Sequence, residues 1–253
     1  MERIQPGRTD IHFHILPGVD DGPETIEESL ALARLALRDG TRTVVATPHI
    51  RREFLRDPHE VLERVDSLQD CLRREGLPLQ VVPGGELDVE VVGTLDQDAL
   101  ECIAVGPPGA RWILLESPFD GLARLQPAAA ELRERGFGIV LAHPERAAGV
   151  LAGGCRILRE QLYAGALAQV STSSLTGAHD HESQIAARHL IANRLAHALA
   201  SDAHSARRPP SLAAGMDRLL ANAETFSLAR RLVDLNPRSL VLSGVVHRLA
   251  LAA

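Results

Sequence analysis

Short β-prone apolar runs at 9–13, 42–47, 79–84, 111–116, 137–142, 167–171 and 197–201 alternate with amphipathic helical patterns along the whole chain. The clearest helical patterns are 24–39, with Ile26, Leu30, Ala33 and Leu37 on one face, and 58–75. Others fall at 122–135, 154–164, 182–194, 209–222 and 225–234. Strand followed by helix, repeated, is the sequence form of the βαβ unit, which sets strands parallel. Seven repeats predict a closed or nearly closed βα barrel, with a doubly wound open sheet as the alternative. Barrels of this kind take about 250 residues. The 253 residues here carry no long linker, low-complexity tract or internal repeat, so a single domain over 1–253 is expected.

Composition narrows the chemistry. Apolar residues make up 45% of the chain and aromatic ones only 3%, so the core must be built from Leu, Val, Ile and Ala. The formal charge of −6 argues against nucleic acid as a partner, which would call for a basic surface. The opening residues MERIQPGRTDIHFH lack an apolar run of the secretory type, and no stretch approaches membrane-spanning length. The expectation is a cytoplasmic protein without membrane insertion. Cys71, Cys102 and Cys155 show no metal-type spacing. Cysteine phosphatases place an Arg six positions after the nucleophile, where this chain has Leu77, Pro108 and Gln161. All 27 basic residues are arginine. The lack of lysine removes Walker-type phosphate loops, Schiff-base chemistry and carbamylated-lysine metal bridges together.

The strand ends carry the chemistry. The first run ends Asp10-Ile11-His12-Phe13-His14, and residues two apart on a strand share a face, so His12 and His14 present two imidazoles together. Later runs end Ala46-Thr47-Pro48-His49, Gly84-Gly85-Glu86, Leu114-Leu115-Glu116, Ala142-His143-Pro144-Glu145-Arg146 and Ser201-Asp202-Ala203-His204. In a parallel barrel these C-terminal ends lie on one face, where such enzymes build their sites. His12, His14, His49, Glu86, Glu116, His143, Asp202 and His204 are therefore eight candidate ligands, before the Val19-Asp20-Asp21-Gly22 loop is counted. One cation needs about three to six protein ligands, so this set serves two or three. Imidazole and carboxylate without thiolate suit manganese, iron or zinc better than copper.

HFHILPGVDDG, the helix after it, ATPH, AHPER, SDAH and LNPRSLVLSG resemble the PHP superfamily over essentially the whole chain. More narrowly they are similar to the CpsB/CapC-type tyrosine-protein phosphatases of bacterial capsule and exopolysaccharide loci. The resemblance implies a distorted (β/α)7-type barrel holding three divalent ions, manganese first and iron or zinc as alternatives. It implies hydrolysis of phosphotyrosine on a tyrosine autokinase by a metal-activated hydroxide. It also chooses Asp21 from the Asp20/Asp21 pair, completing a ligand set of His12, His14, Asp21, His49, Glu86, Glu116, His143, Asp202 and His204. Arg146 matches a phosphate-binding arginine. A second should follow SDAH, where Arg207 and Arg208 both qualify and Arg208, next to Pro209, is preferred. Asp202 or His204 is the expected general acid. Two departures bear on substrate preference: Ile50 stands where relatives often carry a second histidine, and the sixth strand is followed by Ser171-Thr172-Ser173-Ser174.

His59, His189, His197 and His247 fall away from the expected site and read as packing or surface residues. His179-Asp180-His181-Glu182 reads as a solvated loop whose Asp180 caps the next helix. Arg51 and Arg52 read equally as a solvated face or as a dock for an acidic phosphopeptide. The competing functions are a small-molecule phosphatase of the histidinol-phosphate type, a metal-dependent amidohydrolase, and a non-catalytic scaffold. The oligomeric state is not legible.

Overall fold

The computed structural model describes residues 7–221 and 225–245; His247 lies outside them. The first strand, β1 (Arg8–Phe13), leads through the Asp20-Asp21 loop into α1 (Ile26–Arg38). Then follow β2 (Thr41–Ala46), β3 (His49–Ile50), α2 (Glu60–Arg74), β4 (Gln80–Pro83), β5 (Glu86–Leu87) and α3 (Gln97–Ile103). The second half runs β6 (Trp112–Glu116), α4 (Leu125–Glu134), β7 (Gly138–Ala142), α5 (Arg156–Tyr163), β8 (Leu167–Ser171), α6 (Thr172–Thr176), α7 (His181–Ala192) and β9 (Ala198–Ala200). It ends in α8 (Leu212–Ala221), α9 (Phe226–Arg230), a π-helical stretch Arg231–Leu235 and α10 (Asn236–Ser243).

Every strand pair is parallel, in the orders β1-β2-β4 and β3-β5-β6-β7-β8-β9. The seven expected runs are all strands, two of them interrupted. Pro48 offers no N–H to continue the β2 ladder, and the chain resumes at His49, paired with Glu86. Between β4 and β5 the Gly84-Gly85 step needs a close backbone approach, since a Cβ on Gly84 would lie 2.5 Å from Val45 Cγ1. Only glycine allows that contact, and it seats Glu86 beside His49. Thr47 N–H to Phe13 O at 3.0 Å extends the β1–β2 pair and Glu86 N–H to Pro48 O at 3.0 Å the β3–β5 pair, so the Thr47-Pro48 step of the chain carries one sheet into the other. At the other edge, Asp202 N–H donates to His12 O at 3.0 Å and His14 N–H to Ala203 O at 2.9 Å.

The central strands are buried on both faces, as parallel sheets under helices must be. Along β6, Trp112 and Leu114 pack in one cluster with Val45, Val140 and Ala142, whereas Ile113 and Leu115 pack with the helices. Leu240 of α10 joins the inner cluster, and its carbonyl accepts from Trp112 Nε1 at 2.9 Å. Since Trp112 opens β6, the α10 segment stops the N-terminal end of the sheet, opposite the polar strand ends.

Helix α1 starts where Thr25 accepts from Glu28 N–H and the Glu28 carboxylate reaches back to Glu24 N–H at 2.7 Å, a reciprocal cap. Its buried line is Ser29, Leu32, Ala33 and Ala36, with Ile26, Leu30 and Leu37 half-buried beside it. The face expected from Ile26, Leu30, Ala33 and Leu37 is thus rotated by about one residue, because small side chains let this helix lie close to the sheet. The 225–234 pattern is α9 plus the π-helical stretch, and α3, α6 and α10 were not anticipated. Among the described residues no helix is long and apolar enough to cross a membrane.

Candidate metal centre

His12 and His14 share one face at the end of β1, and their Nε2 atoms stand 3.2 Å apart, fully buried. Glu86 Oε2 lies 3.3 Å from His12 Nε2, 3.5 Å from His14 Nε2 and 2.9 Å from His49 Nδ1. Its Oε1 lies 2.8 Å from His143 Nε2. One carboxylate at the start of β5 therefore faces four imidazoles from three strand ends. Asp202 Oδ1 is 3.4 Å from His12 Nε2 and 3.6 Å from His14 Nε2. Asp21 Oδ1 approaches His204 Nε2 at 3.2 Å and His49 Nε2 at 3.4 Å. The His14 and His204 rings stack with centroids 3.7 Å apart.

Four overlapping sets have ligand atoms within 4.8 Å of one another: His14-Asp21-His49-His204, His12-His14-Asp202, His12-Glu86-His143 and His49-Glu86-Glu116. Together they contain all nine residues expected as ligands and no others. Asp20, the alternative to Asp21, is buried and plays a different part. Its Oδ2 is 2.7 Å from His14 Nδ1 and accepts from His49 N–H at 3.0 Å, while Oδ1 accepts from Gly22 N–H at 3.0 Å. Asp20 thus orients His14 while the half-exposed Asp21 faces the cluster.

This donor set suits divalent cations on two grounds. Ligands at roughly 2.1 Å from one tetrahedral cation lie roughly 3.4 Å apart, close to the 3.2–3.6 Å contacts above. Moreover, Glu86 Oε2, His143 Nδ1 and His204 Nε2 are buried without a well-aligned hydrogen-bond partner, an expensive arrangement unless another ligand satisfies them. Backbone strain marks the same place. His143 and Asp202 hold φ of 36° and 53°, a left-handed conformation costing about 1–3 kcal/mol for such residues.

The electrostatics are those of a site built for positive charge. Burial disfavours charged His12, but Glu86 and Asp202 outweigh it and raise its pKa to about 9. His49, likewise buried, is carried to about 10 by Glu86 and Asp21. Burial pushes Glu86 and Asp202 upward, yet the surrounding imidazoles hold both below the ordinary carboxylate range. Burial, with His14 adding to it, pulls His204 down to about 4.

The arginines stand at the mouth. Asp202 Oδ2, the oxygen turned away from the imidazoles, lies 3.0 Å from Arg208 Nη2 and 3.4 Å from Arg146 Nη1. Arg208 Nη1 also reaches Asp21 Oδ2 at 3.5 Å. Arg207 is exposed and its backbone N–H donates to Ser205. Of the two, Arg208 is the one that stands against the cluster.

Sequence reasoning missed several supporting groups. Gln169 Oε1 sits 3.1 Å from His12 Nδ1 and accepts from His143 N–H at 3.3 Å. Asp10 Oδ1 accepts from His12 N–H and Ser201 N–H at 3.3 and 3.1 Å, tying β1 to the end of β9; its position two residues before His12, on the same face, was the available signal. Arg51 does not face solvent freely. It is half-buried, donates to Glu116 Oε2, and its Nη2 lies 3.1 Å from His49 Nδ1. Burial, with Glu86 beside it, pushes Glu116 up to about 7. Asp180 does cap α7, accepting from Ser183 N–H at 2.8 Å. His179, however, is partly buried rather than free in a solvated loop, 3.0 Å from Ser174 Oγ.

Residues 8–242 match the family model described as capsular polysaccharide synthesis, CpsB/CapC. The chain belongs to the CpsB/CapC family. It is 34% identical over 200 residues to the tyrosine-protein phosphatase YwqE of Bacillus subtilis strain 168, covering 78% of each chain. A solved structure from work on YwqE and on CpsB of Streptococcus pneumoniae, described as unique metal-dependent tyrosine phosphatases, superposes with a TM-score of 0.78 at 31% identity. That match covers 92% of this chain and 94% of the other. The phosphotriesterase homology protein of Escherichia coli, with phosphate in its active site, matches at a TM-score of 0.61 and 15% identity, over 91% of this chain and 97% of that one. At that identity the likeness shows a shared fold of parallel strands and helices.

Proposed function

We propose that this chain is a divalent-metal-dependent protein-tyrosine phosphatase. In this reading it is a phosphoric monoester hydrolase of capsule and exopolysaccharide synthesis whose substrate is a phosphorylated tyrosine autokinase in the cytoplasm. The observation that carries it is the convergence of nine donors, eight from strand ends and Asp21 from the loop after β1, on one spot, with two arginines at its mouth. Kinship to named tyrosine phosphatases supports the substrate class.

The chain is read as one domain. Counting β2 with β3 and β4 with β5 as interrupted strands gives seven, and the β1–β9 hydrogen bonds support a distorted (β/α)7-type barrel.

His12, His14, Asp21, His49, Glu86, Glu116, His143, Asp202 and His204 would hold three divalent ions, manganese first by the family resemblance, since the thiolate-free donor set alone suits manganese, iron or zinc. Divalent cations in such a site supply a water acidified to a pKa of roughly 7 and charge to offset the phosphoryl oxygens. The side chains of the protein do the rest. Asp20 and Gln169 fix the rings of His14 and His12, which sets the direction of the nitrogens facing the centre. Asp202 divides its oxygens, turning Oδ1 to the imidazoles and Oδ2 to the guanidiniums. Arg146 and Arg208 are thereby presented to the non-bridging phosphoryl oxygens, where planar guanidinium donors bind in pairs. The tyrosyl leaving group, with a solution pKa near 10, makes little demand on a proton donor.

Metal-stripped protein restored with manganese, iron or zinc and assayed on a phosphotyrosine peptide and histidinol phosphate tests this. Faster metal-restored turnover of the peptide is the expected result. The reverse preference would move the chain to small-molecule metabolism, and metal binding without turnover of either would overturn the phosphatase reading.

A further inference from the structure

Phe119 is half exposed, at 49%, in a chain with only five phenylalanines. It follows β6 by three residues, on the turn that leaves Glu116. Its ring stacks on that of His143, centroids 5.7 Å apart and planes 25° from parallel. The Arg146 guanidinium lies over the same ring, its Cζ 4.5 Å from the centroid. Phe119 therefore touches both a residue of the donor cluster and an arginine of the site's mouth. A cleft of about 420 Å³ is lined by Phe119 and Arg146, with Val150, Leu151 and Ile185 on its apolar side and Asp180 and Glu182 on its polar side. Exposed rings occur elsewhere in the chain, Phe226 at 63% among them, so it is contact with His143 and Arg146 that singles Phe119 out. This one keeps apolar surface open beside the place where a phosphate would sit.

Phe54 makes a weaker counterpart. It stacks on His49 with centroids 5.5 Å apart, but is less exposed, and the nearest cation, Arg51, is already paired with Glu116.

We propose that Phe119 is a specificity-determining residue that receives the aryl ring of the substrate's phosphoryl ester, so that Arg146 and Phe119 together recognise an aryl phosphate. The assignment rests on the phosphatase reading above and deepens it. An alkyl phosphate would meet the same guanidinium and leave the ring in water. Offset or edge-to-face aromatic pairs are worth enough to favour an aryl ligand about fivefold to tenfold.

Calorimetric titration of the metal-loaded protein with phenylphosphonate and methylphosphonate, neither of which can be hydrolysed at the phosphorus–carbon bond, measures that preference directly. Wild type should bind phenylphosphonate about fivefold to tenfold more tightly. Phe119→Ala should reduce the ratio to within about twofold of unity with methylphosphonate affinity nearly unchanged, and Phe119→Tyr should restore it. No preference in wild type, a preference that survives Phe119→Ala, or an equal loss for both ligands would overturn the proposal; the last would mean that Phe119 only steadies Arg146. Phosphotyrosine peptide turnover, run in parallel, separates the two readings. An intact aryl preference without peptide turnover would keep this site and discard the tyrosine-phosphatase assignment.

Discussion

Truncating Arg146 to alanine separates metal binding from phosphate binding. Arg146 is tethered lightly: among the described residues its ion pair is to Asp202 Oδ2, 3.4 Å long, and its guanidinium also meets the Phe119 face. Asp202 keeps the shorter 3.0 Å contact to Arg208 when Arg146 is removed, so the buried carboxylate is not stranded. The cluster should therefore hold its metal while the phosphoryl group loses one charged partner. A hydrogen bond to a charged group is worth about 1.5–3 kcal/mol, which corresponds to about a 10- to 150-fold drop in kcat/KM. Arg146→Lys keeps the charge but not the planar fork and should recover only part of the loss. The assay is steady-state kinetics on a phosphotyrosine peptide with metal content measured by mass spectrometry on the same samples. A kcat/KM within about twofold of wild type would refute the phosphate-binding role. Metal lost in step with activity would show instead that Arg146 acts through Asp202 to maintain the cluster.

Glu86→Ala and His49→Ala should each abolish turnover and lower bound metal, since Glu86 faces four imidazoles and His49 belongs to two of the donor sets; wild-type rates in either would remove the multinuclear assignment. Trp112→Phe leaves the Leu240 carbonyl without its indole partner and should cost about 1–3 kcal/mol. At about 2–4 °C per kcal/mol for a chain of this size, the melting temperature should fall by roughly 2–12 °C with metal content preserved, and an unchanged melting curve would refute the role given to α10. His197, far from the cluster, is held below its ordinary pKa chiefly by burial, with Arg231 adding to it, and its Nδ1 accepts from Ala168 N–H at 3.2 Å. Because the unfolded chain protonates first, near pH 6.5, its stability contribution is complete above that value and is lost as pH falls towards the folded pKa. The stability gap between wild type and His197→Gln should accordingly narrow from pH 8 to pH 5, and a constant gap would contradict this.

The convergence of the nine expected residues was legible because a parallel sheet delivers its C-terminal ends to one face, so ligand-type residues at strand ends need no further information to be placed together. Nothing comparable announces the groups that orient them. Gln169 lies 157 residues from His12 in the chain and on a strand whose composition is unremarkable; only the β7–β8 register, Ala142 opposite Gln169, brings it under His12 and His143. Asp20 and Asp21 are adjacent acids in one turn, and spacing cannot say which faces the metal centre; burial and the direction of each carboxylate decide it. Arg51 misled for a related reason. An arginine after a strand end resembles any surface arginine until Glu116, from a strand 65 residues on, is found beside it. The interrupted strands and the rotated face of α1 have the same origin: close approach permitted by Gly84, Ser29 and Ala33 shifts elements by one or two positions, a scale below that of hydrophobic periodicity. Residue type thus located the chemistry, whereas the hydrogen bonds that aim it depend on register, which becomes fixed only when the sheet assembles.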